Sequence, residues 1–171
     1  LARLEHTASM PGTLGGLVTM NGGSQRKGIG TNVERVVCLD RAGETFELTQ
    51  EDCKFAYRTS ILQDIDAIVV EVDLRLTPRD TQTVHAEMDA VVDSRRTRFP
   101  EHFPNCGSTF LSHPSMYASV GAPGKVIEEA GLKGYSFGGA QVSPQHANFV
   151  VNTGGATSGD VLKVIGHIRQ T

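Results

Sequence analysis

Between Ile68 and Leu76 the sequence alternates with period two. Ile68, Val70, Val72, Leu74 and Leu76 fall on one side, and Glu71, Asp73 and Arg75 on the other. Only extended backbone sends successive side chains to opposite faces, so this run predicts a strand with one dry face and one wet. Such a strand belongs most naturally to an antiparallel sheet, and Pro78 ends it. Val33–Leu39 and Glu44–Leu48 read as further strands joined by the turn Asp40–Gly43. Thr49, with Asp52 three positions on, reads as a capped turn.

The period then changes. Val84, Met88, Val91 and Val92 recur at helical spacing, with Glu87, Asp89 and Asp93 turned away. This helix is expected to end near Arg98, before Pro100, where Arg95, Arg96 and Arg98 suit the dipole of its C-terminus. Pro100–Pro104 reads as a joint, which predicts two lobes, residues 1–98 and 99–171. Asn105–Phe110, and the chain onward through His113–Pro114, read as loop. Gly124–Ala130 predicts a short helix with Val126, Ile127 and Ala130 inward and Gly131 as its stop. Tyr135–Ala140 reads as strand or loop, and Asn148–Asn152 as a short strand. Thr157 and Asp160 make a capping box for a last helix whose inward stripe is Val161, Leu162, Ile165 and Ile168. Strands first, then helices flanking a small sheet, predict an α+β fold.

Composition narrows the function classes. The 171 residues carry a net charge of -3, and the 16 basic residues are dispersed except for the cluster at Arg95–Arg98, which argues against a nucleic-acid partner. No apolar run is long enough to span a bilayer. Cys38, Cys53 and Cys106 are too few and too scattered for a disulfide scaffold or a zinc cluster, and fit a reducing compartment. Cys38, among Val36, Val37 and Leu39, reads as a small buried apolar residue. The six histidines lack metal-ligand spacing, so no metal site is expected.

Three stretches carry possible chemistry. Met10–Ser24 is punctuated by glycines, so its backbone passes close to something: a phosphate-bearing ligand, or a helix through Leu14–Thr19 packed tightly on a sheet. It is neither the Gly-x-Gly-x-x-Gly fingerprint nor a phosphate loop ending in Gly-Lys-Ser/Thr. Tyr57-Arg58-Thr59-Ser60 sets a guanidinium beside an aromatic ring and two hydroxyls, either a carboxylate clamp or a core edge with a surface pair. Gly107-Ser108 presents a hydroxyl beside a glycine, either a turn residue or a proton donor that needs neighbours to activate it. His146 has no partner pattern, and a local structural role is the better reading of it.

These stretches, in this order, resemble the UDP-N-acetylenolpyruvoylglucosamine reductase family. Met10-Pro11-Gly12-Thr13-Leu14-Gly15-Gly16 through Met20-Asn21-Gly22-Gly23 is similar to the family's flavin-contacting Ile-Pro-Gly-x-x-Gly-Gly…Met-Asn-x-Gly. Tyr57-Arg58-Thr59-Ser60 is similar to its Tyr-Arg-x-Ser, and Gly107-Ser108-Thr109-Phe110 to its Gly-Ser-x-Phe. Ile127–Gly134, Gly138–Phe149 and Val151–Thr157 continue the likeness through the family's substrate domain. The resemblance points to the shorter, second type of the enzyme. It implies a cytoplasmic, FAD- and NADPH-dependent reductase acting on a UDP-linked enolpyruvyl amino sugar in peptidoglycan synthesis.

On this resemblance Ser108 supplies a proton and Arg58 holds the substrate carboxylate. Pro11, Gly12, Thr13, Gly15, Gly16, Asn21 and Gly22 face FAD, while Tyr57, Lys133, Gln141 and His146 face substrate. It further implies part of a flavin lobe followed by a substrate lobe, within a longer protein whose first flavin lobe precedes Met10 and whose proton-transfer glutamate follows Thr171. Glu128 and Glu129 lie in another segment and do not inherit that glutamate's role. The other expectation is a non-catalytic nucleotide-sugar binding or structural module of the same fold.

Overall fold

The computed structural model describes residues 2–171. The chain divides into two compact units, Leu1–Asp93 and Ser94–Thr171. In the first, α1 (Leu14–Thr19) precedes β1 (Val33–Asp40), β2 (Thr45–Thr49) and β3 (Ala67–Leu74), with short 3-10 turns between them. The strands form an antiparallel sheet in the order β2-β1-β3. Val18 from α1, Ile29, and Val33, Val36 and Cys38 from β1 bury their side chains together with Cys53 and Leu62. Cys38 is fully buried, as its neighbours predict.

The alternation in β3 holds, but its phase does not. Ile68 and Val70 are exposed, at 68% and 53%, whereas Ala67, Val69, Val72 and Leu74 pack on the core. The register shows why: Val37 faces Glu71 and Cys38 faces Val69, so Val70 is the extra residue of a β-bulge. One extra residue inverts the inward face on either side of it, because side-chain direction repeats every two residues. Across the solvent face Arg35 of β1 donates to Asp73 and Glu71 of β3, both at 2.7 Å, and to Glu47 of β2 at 2.5 Å. One guanidinium therefore ties all three strands, although the bonds to Glu47 and Glu71 are exposed and individually weak, and only that to Asp73 is part-buried.

α2 (Thr81–Arg98) buries only Val84 and Val91, two turns apart; Met88, expected inward, is exposed. The second unit then holds β4 (Asn105–Ser108), α3 (Pro114–Ser119), α4 (Pro123–Glu129), β5 (Ser136–Phe137), β6 (Ala140–Val142), β7 (Phe149–Asn152) and α5 (Ser158–Gln170). Its antiparallel sheet runs β4-β7-β6-β5. Ile127 of α4 and Val164 of α5 cover Ala140, Val142 and Val150. Two sheets with helices packed on them make the fold α+β.

Several local expectations change here. Asn105–Ser108 is an irregular edge strand paired with β7 rather than loop, and α3 occupies part of the expected loop after Phe110. A four-residue strand containing a glycine at φ 86 has no periodicity to betray it. Val126 and Ala130 are exposed, leaving Ile127 alone of the three inside. The capping box of α5 forms as read: Thr157 Oγ1 accepts from the Asp160 amide, and the Asp160 carboxylate accepts from the Thr157 amide. The inward stripe, however, is Val161, Val164, Ile165 and Ile168, while Leu162 is 67% exposed. That spacing of three, four and seven follows the helical period from Val161, and Leu162 sits about 100° off it. Among the described residues no helix is long and apolar enough to cross a membrane.

Val164→Ala is expected to lower unfolding free energy by about 2 kcal/mol, and Leu162→Ala by less than about 0.5 kcal/mol, in urea titrations of the two variants. Equal losses would place the stripe one residue out of phase.

Candidate functional site

In the first unit, two candidate stretches are fastened together. Ala56 and Thr59 exchange backbone hydrogen bonds of 3.0 and 3.3 Å, which puts Tyr57 and Arg58 at the tip of a tight turn. Arg58 has φ 56, in the left-handed region where a side chain costs roughly 1–2 kcal/mol. It is held there by its own ends. The guanidinium donates to the Gly23 carbonyl at 2.9 Å, and the Arg58 carbonyl accepts from Gln63 Nε2 at 3.2 Å. Tyr57 is 53% exposed, so it does not pack the core; its ring lies 5.5 Å from the guanidinium carbon.

The Asn21–Gly23 loop is tied to the same turn. Asn21 Nδ2 donates to the Ala56 carbonyl at 2.7 Å, and Asn21 Oδ1 accepts from the Gly30 amide at 2.9 Å. Gly22 is buried, and a Cβ on it would stand 2.5 Å from Leu17 Cδ1. That methyl is the movable end of a side chain; the nearest backbone atom, the Leu17 carbonyl oxygen, would be 3.3 Å away. Pro11, Gly12, Thr13 and Gly16 lie instead on an exposed rim at the head of α1, with Gly15 half-buried beside Val69. Thr13 caps the helix, its hydroxyl accepting from the Gly16 amide at 3.1 Å.

In the second unit Ser108 and His146 share a cavity of about 380 Å³, lined also by Ser112, Tyr117, Lys125 and Glu128. Ser108 is exposed at the end of β4, opposite Phe149 of β7. His146 is half-buried, its ring against Phe99 and Phe149 at centroid distances of 5.5 and 4.9 Å. Its Nδ1 accepts from the Asn148 amide at 3.2 Å. A neutral imidazole in that arrangement carries its proton on Nε2 and is a donor there. Burial, reinforced by the charges of Lys133 and Arg98, pushes the imidazole pKa below its ordinary 6.5. A Cβ on Gly124 would come within 3.0 Å of His146 Cε1, so α4 approaches the ring by lacking a side chain. Lys133 is joined to the cavity through Glu128, which accepts from its ammonium at 2.7 Å. Gln141, on β6, donates to the Gly134 carbonyl at 3.1 Å and lies outside the lining.

Sequence reading passed over Asn148. It is buried at 3% exposure, and its amide Oδ1 accepts from the Phe110 amide while Nδ2 donates to the Phe110 carbonyl, both at 2.9 Å. Its own carbonyl accepts from the Thr109 amide at 2.7 Å. The available signal was a polar residue opening the apolar run Phe149-Val150-Val151, which reads as an ordinary strand end. The cavity thus offers hydroxyls, an imidazole, the Lys125 ammonium, the Glu128 carboxylate and aromatic edges, a lining suited to a ligand rich in hydrogen-bonding oxygens. Among the described residues no three His, Cys, Asp or Glu could hold a metal.

Residues 99–171 match the family model of the UDP-N-acetylenolpyruvoylglucosamine reductase C-terminal domain, which sets the class of the second unit. The likeness extends through the first. UDP-N-acetylenolpyruvoylglucosamine reductase 1 of Corynebacterium glutamicum is 48% identical over 170 residues, 99% of this chain and 51% of that protein. The reductase of Halalkalibacterium halodurans is 43% identical over 171 residues, 100% of this chain and 55% of that protein. The crystal structure of UDP-N-acetylenolpyruvylglucosamine reductase from Thermus caldophilus superposes with a TM-score of 0.85 at 30% identity, covering 99% of this chain and 60% of that one. The chain matches that family's C-terminal domain over residues 99–171 and is similar to these reductases along nearly its whole length, and it spans about half the length of the curated relatives it matches.

His6 in the first unit, like His146, has its pKa lowered, with burial the first cause. A histidine that is harder to protonate when folded leaves the unfolded chain holding more protons. Its contribution to stability is therefore full above pH 6.5, the ordinary value, and is lost as pH falls from there toward the folded pKa. A proton NMR titration should show His146 with its midpoint below 6.5. A midpoint at or above that value would contradict the burial seen here.

Proposed function

We propose that this chain is part of a flavin-dependent reductase that converts UDP-N-acetylglucosamine enolpyruvate to UDP-N-acetylmuramate in the cytoplasm, using FAD and NADPH for peptidoglycan synthesis. The observation that carries this reading is the cavity that joins Ser108 to His146 in a unit of that family's C-terminal domain. In this reading residues 1–98 are part of the FAD lobe and residues 99–171 the substrate lobe.

The first unit is compatible with a flavin. Gly12 has φ 133 and, among the described residues, open space where a Cβ would project, so a flat group can lie directly against the backbone at the head of α1. Pro11, Gly12, Thr13, Gly15 and Gly16 would hold it, and Asn21 and Gly22 would keep the loop behind them in shape. When bound and reduced by NADPH, flavin supplies a hydride to the enolpyruvyl double bond.

The side chains have separate tasks. The Ser108 hydroxyl gives the proton that completes addition across the double bond, at the carbon next to the one receiving hydride. A serine is a weak acid, so this transfer needs a strongly basic carbon within hydrogen-bond reach, about 3 Å. Arg58 takes the substrate carboxylate in a two-pronged grip and stabilises the negative charge that spreads onto it before protonation. Tyr57, Lys133, Gln141 and the Nε2 proton of His146 bind the remainder of the UDP-sugar.

In the full-length protein Ser108→Ala is expected to leave NADPH reduction of the flavin unchanged and to slow its reoxidation by the enolpyruvyl sugar by about 100-fold. Stopped-flow absorbance of the two half-reactions checks this, and equal reoxidation in variant and parent would remove Ser108 as proton donor. Calorimetric binding of a UDP-sugar with no flavin-linked NADPH oxidation would favour a non-catalytic module instead.

A further inference from the structure

Ser108 stands at the free edge of its sheet, where β4 pairs irregularly with β7: Asn105 faces Val151 and Ser108 faces Phe149. Two residues of β4 thus oppose one of β7. Gly107, at φ 86, carries the bend. Beyond Ser108 the ladder of β4 has ended, so regular pairing does not fix the direction in which its hydroxyl points.

Asn148 takes over at that point. Its side-chain amide meets the Phe110 amide and carbonyl as a neighbouring strand would, with two bonds of 2.9 Å in opposite senses. Its main chain receives the Thr109 amide at 2.7 Å. Three hydrogen bonds from one residue therefore hold the two positions that follow Ser108, and Asn148 itself is 3% exposed. The same residue lines the cavity and donates its amide to His146 Nδ1.

We infer that Asn148 is a positioning residue for proton delivery: its carboxamide, locked onto Phe110, aims the Ser108 hydroxyl into the cavity. This rests on the reading of Ser108 as proton donor. Asn148 need not touch substrate to do this. Its effect is to stop the serine from swinging with a frayed strand end, and a displacement of about 1 Å at a reacting group can cost roughly 100-fold in rate.

The experiment is a double-mutant cycle in the full-length flavoprotein. Asn148→Ala removes both bonds to Phe110, and Asn148→Asp keeps the acceptor for the Phe110 amide while losing the donor to its carbonyl. Asp preserves volume and serves if the alanine variant does not fold. Either variant should slow reoxidation of reduced flavin by the enolpyruvyl sugar tenfold or more, on the order of the loss expected for a misplaced group, while NADPH reduction stays as in the parent. In a Ser108→Ala background the same substitution should have no further effect, because the group it positions is gone. Full additivity in that background, or an unchanged reoxidation rate in the single variant, would overturn the inference. If Ser108→Ala alone is without effect, the proton-donor reading falls first and this inference falls with it.

Discussion

A carboxamide has the same donor and acceptor as a peptide group, and each unit of this protein uses one where its backbone leaves regular structure. In the first, Asn21 bridges the Ala56 carbonyl and the Gly30 amide. In the second, Asn148 bridges both polar groups of Phe110. Buried backbone groups without partners cost free energy comparable to a lost hydrogen bond. The exposed bond to Ala56 serves to order its turn, whereas at Phe110, where both bonds are part-buried, something must answer for those groups. An asparagine on a neighbouring segment does so without extending the sheet, and it leaves the presented residue, Arg58 or Ser108, in a conformation no ladder would impose.

The same logic accounts for the strain at Arg58. A left-handed arginine persists only because its surroundings over-determine it: the Ala56–Thr59 pair closes the turn, Gln63 takes the carbonyl, and Gly23 receives the guanidinium. The guanidinium carries five N–H donors, and the Gly23 carbonyl accounts for one of its nitrogens. A charged fork fixed at one prong is better organised for a carboxylate than a free one, since less side-chain entropy remains to be lost on binding.

What could be read from the sequence follows from how each feature is encoded. The fold class and most strand and helix locations were legible, because burial imposes a period of two or 3.6 over many residues. The phase within those elements was less so. The bulge at Val70 inverts one strand's face without leaving a Gly or Pro to mark it, and Leu162 is as apolar as its buried neighbours. Candidate residues on short motifs, Arg58 and Ser108 among them, were visible as chemistry, but Asn148 was not. Its importance lies in a partner 38 residues away, which no local pattern records.

These observations bear on how a hydroxyl can serve as an acid at all. Among the described residues Ser108 has no carboxylate or imidazole hydrogen-bonded to it, so it is not activated in the way a nucleophilic serine is. The imidazole in the same cavity is engaged through Nδ1 and kept neutral by burial, which suits it to donate to a ligand rather than to take the serine's proton. If Ser108 is the proton donor proposed above, rate must come from the basicity of the acceptor carbon and from geometry, and only geometry belongs to the protein. That places the burden on the backbone around Ser108, whose last regular pairing is with Phe149 and whose continuation is held by a single asparagine. In that proposal an unactivated acid and an edge strand fastened by Asn148 are two sides of one design: where chemistry cannot be tuned through pKa, position has to be.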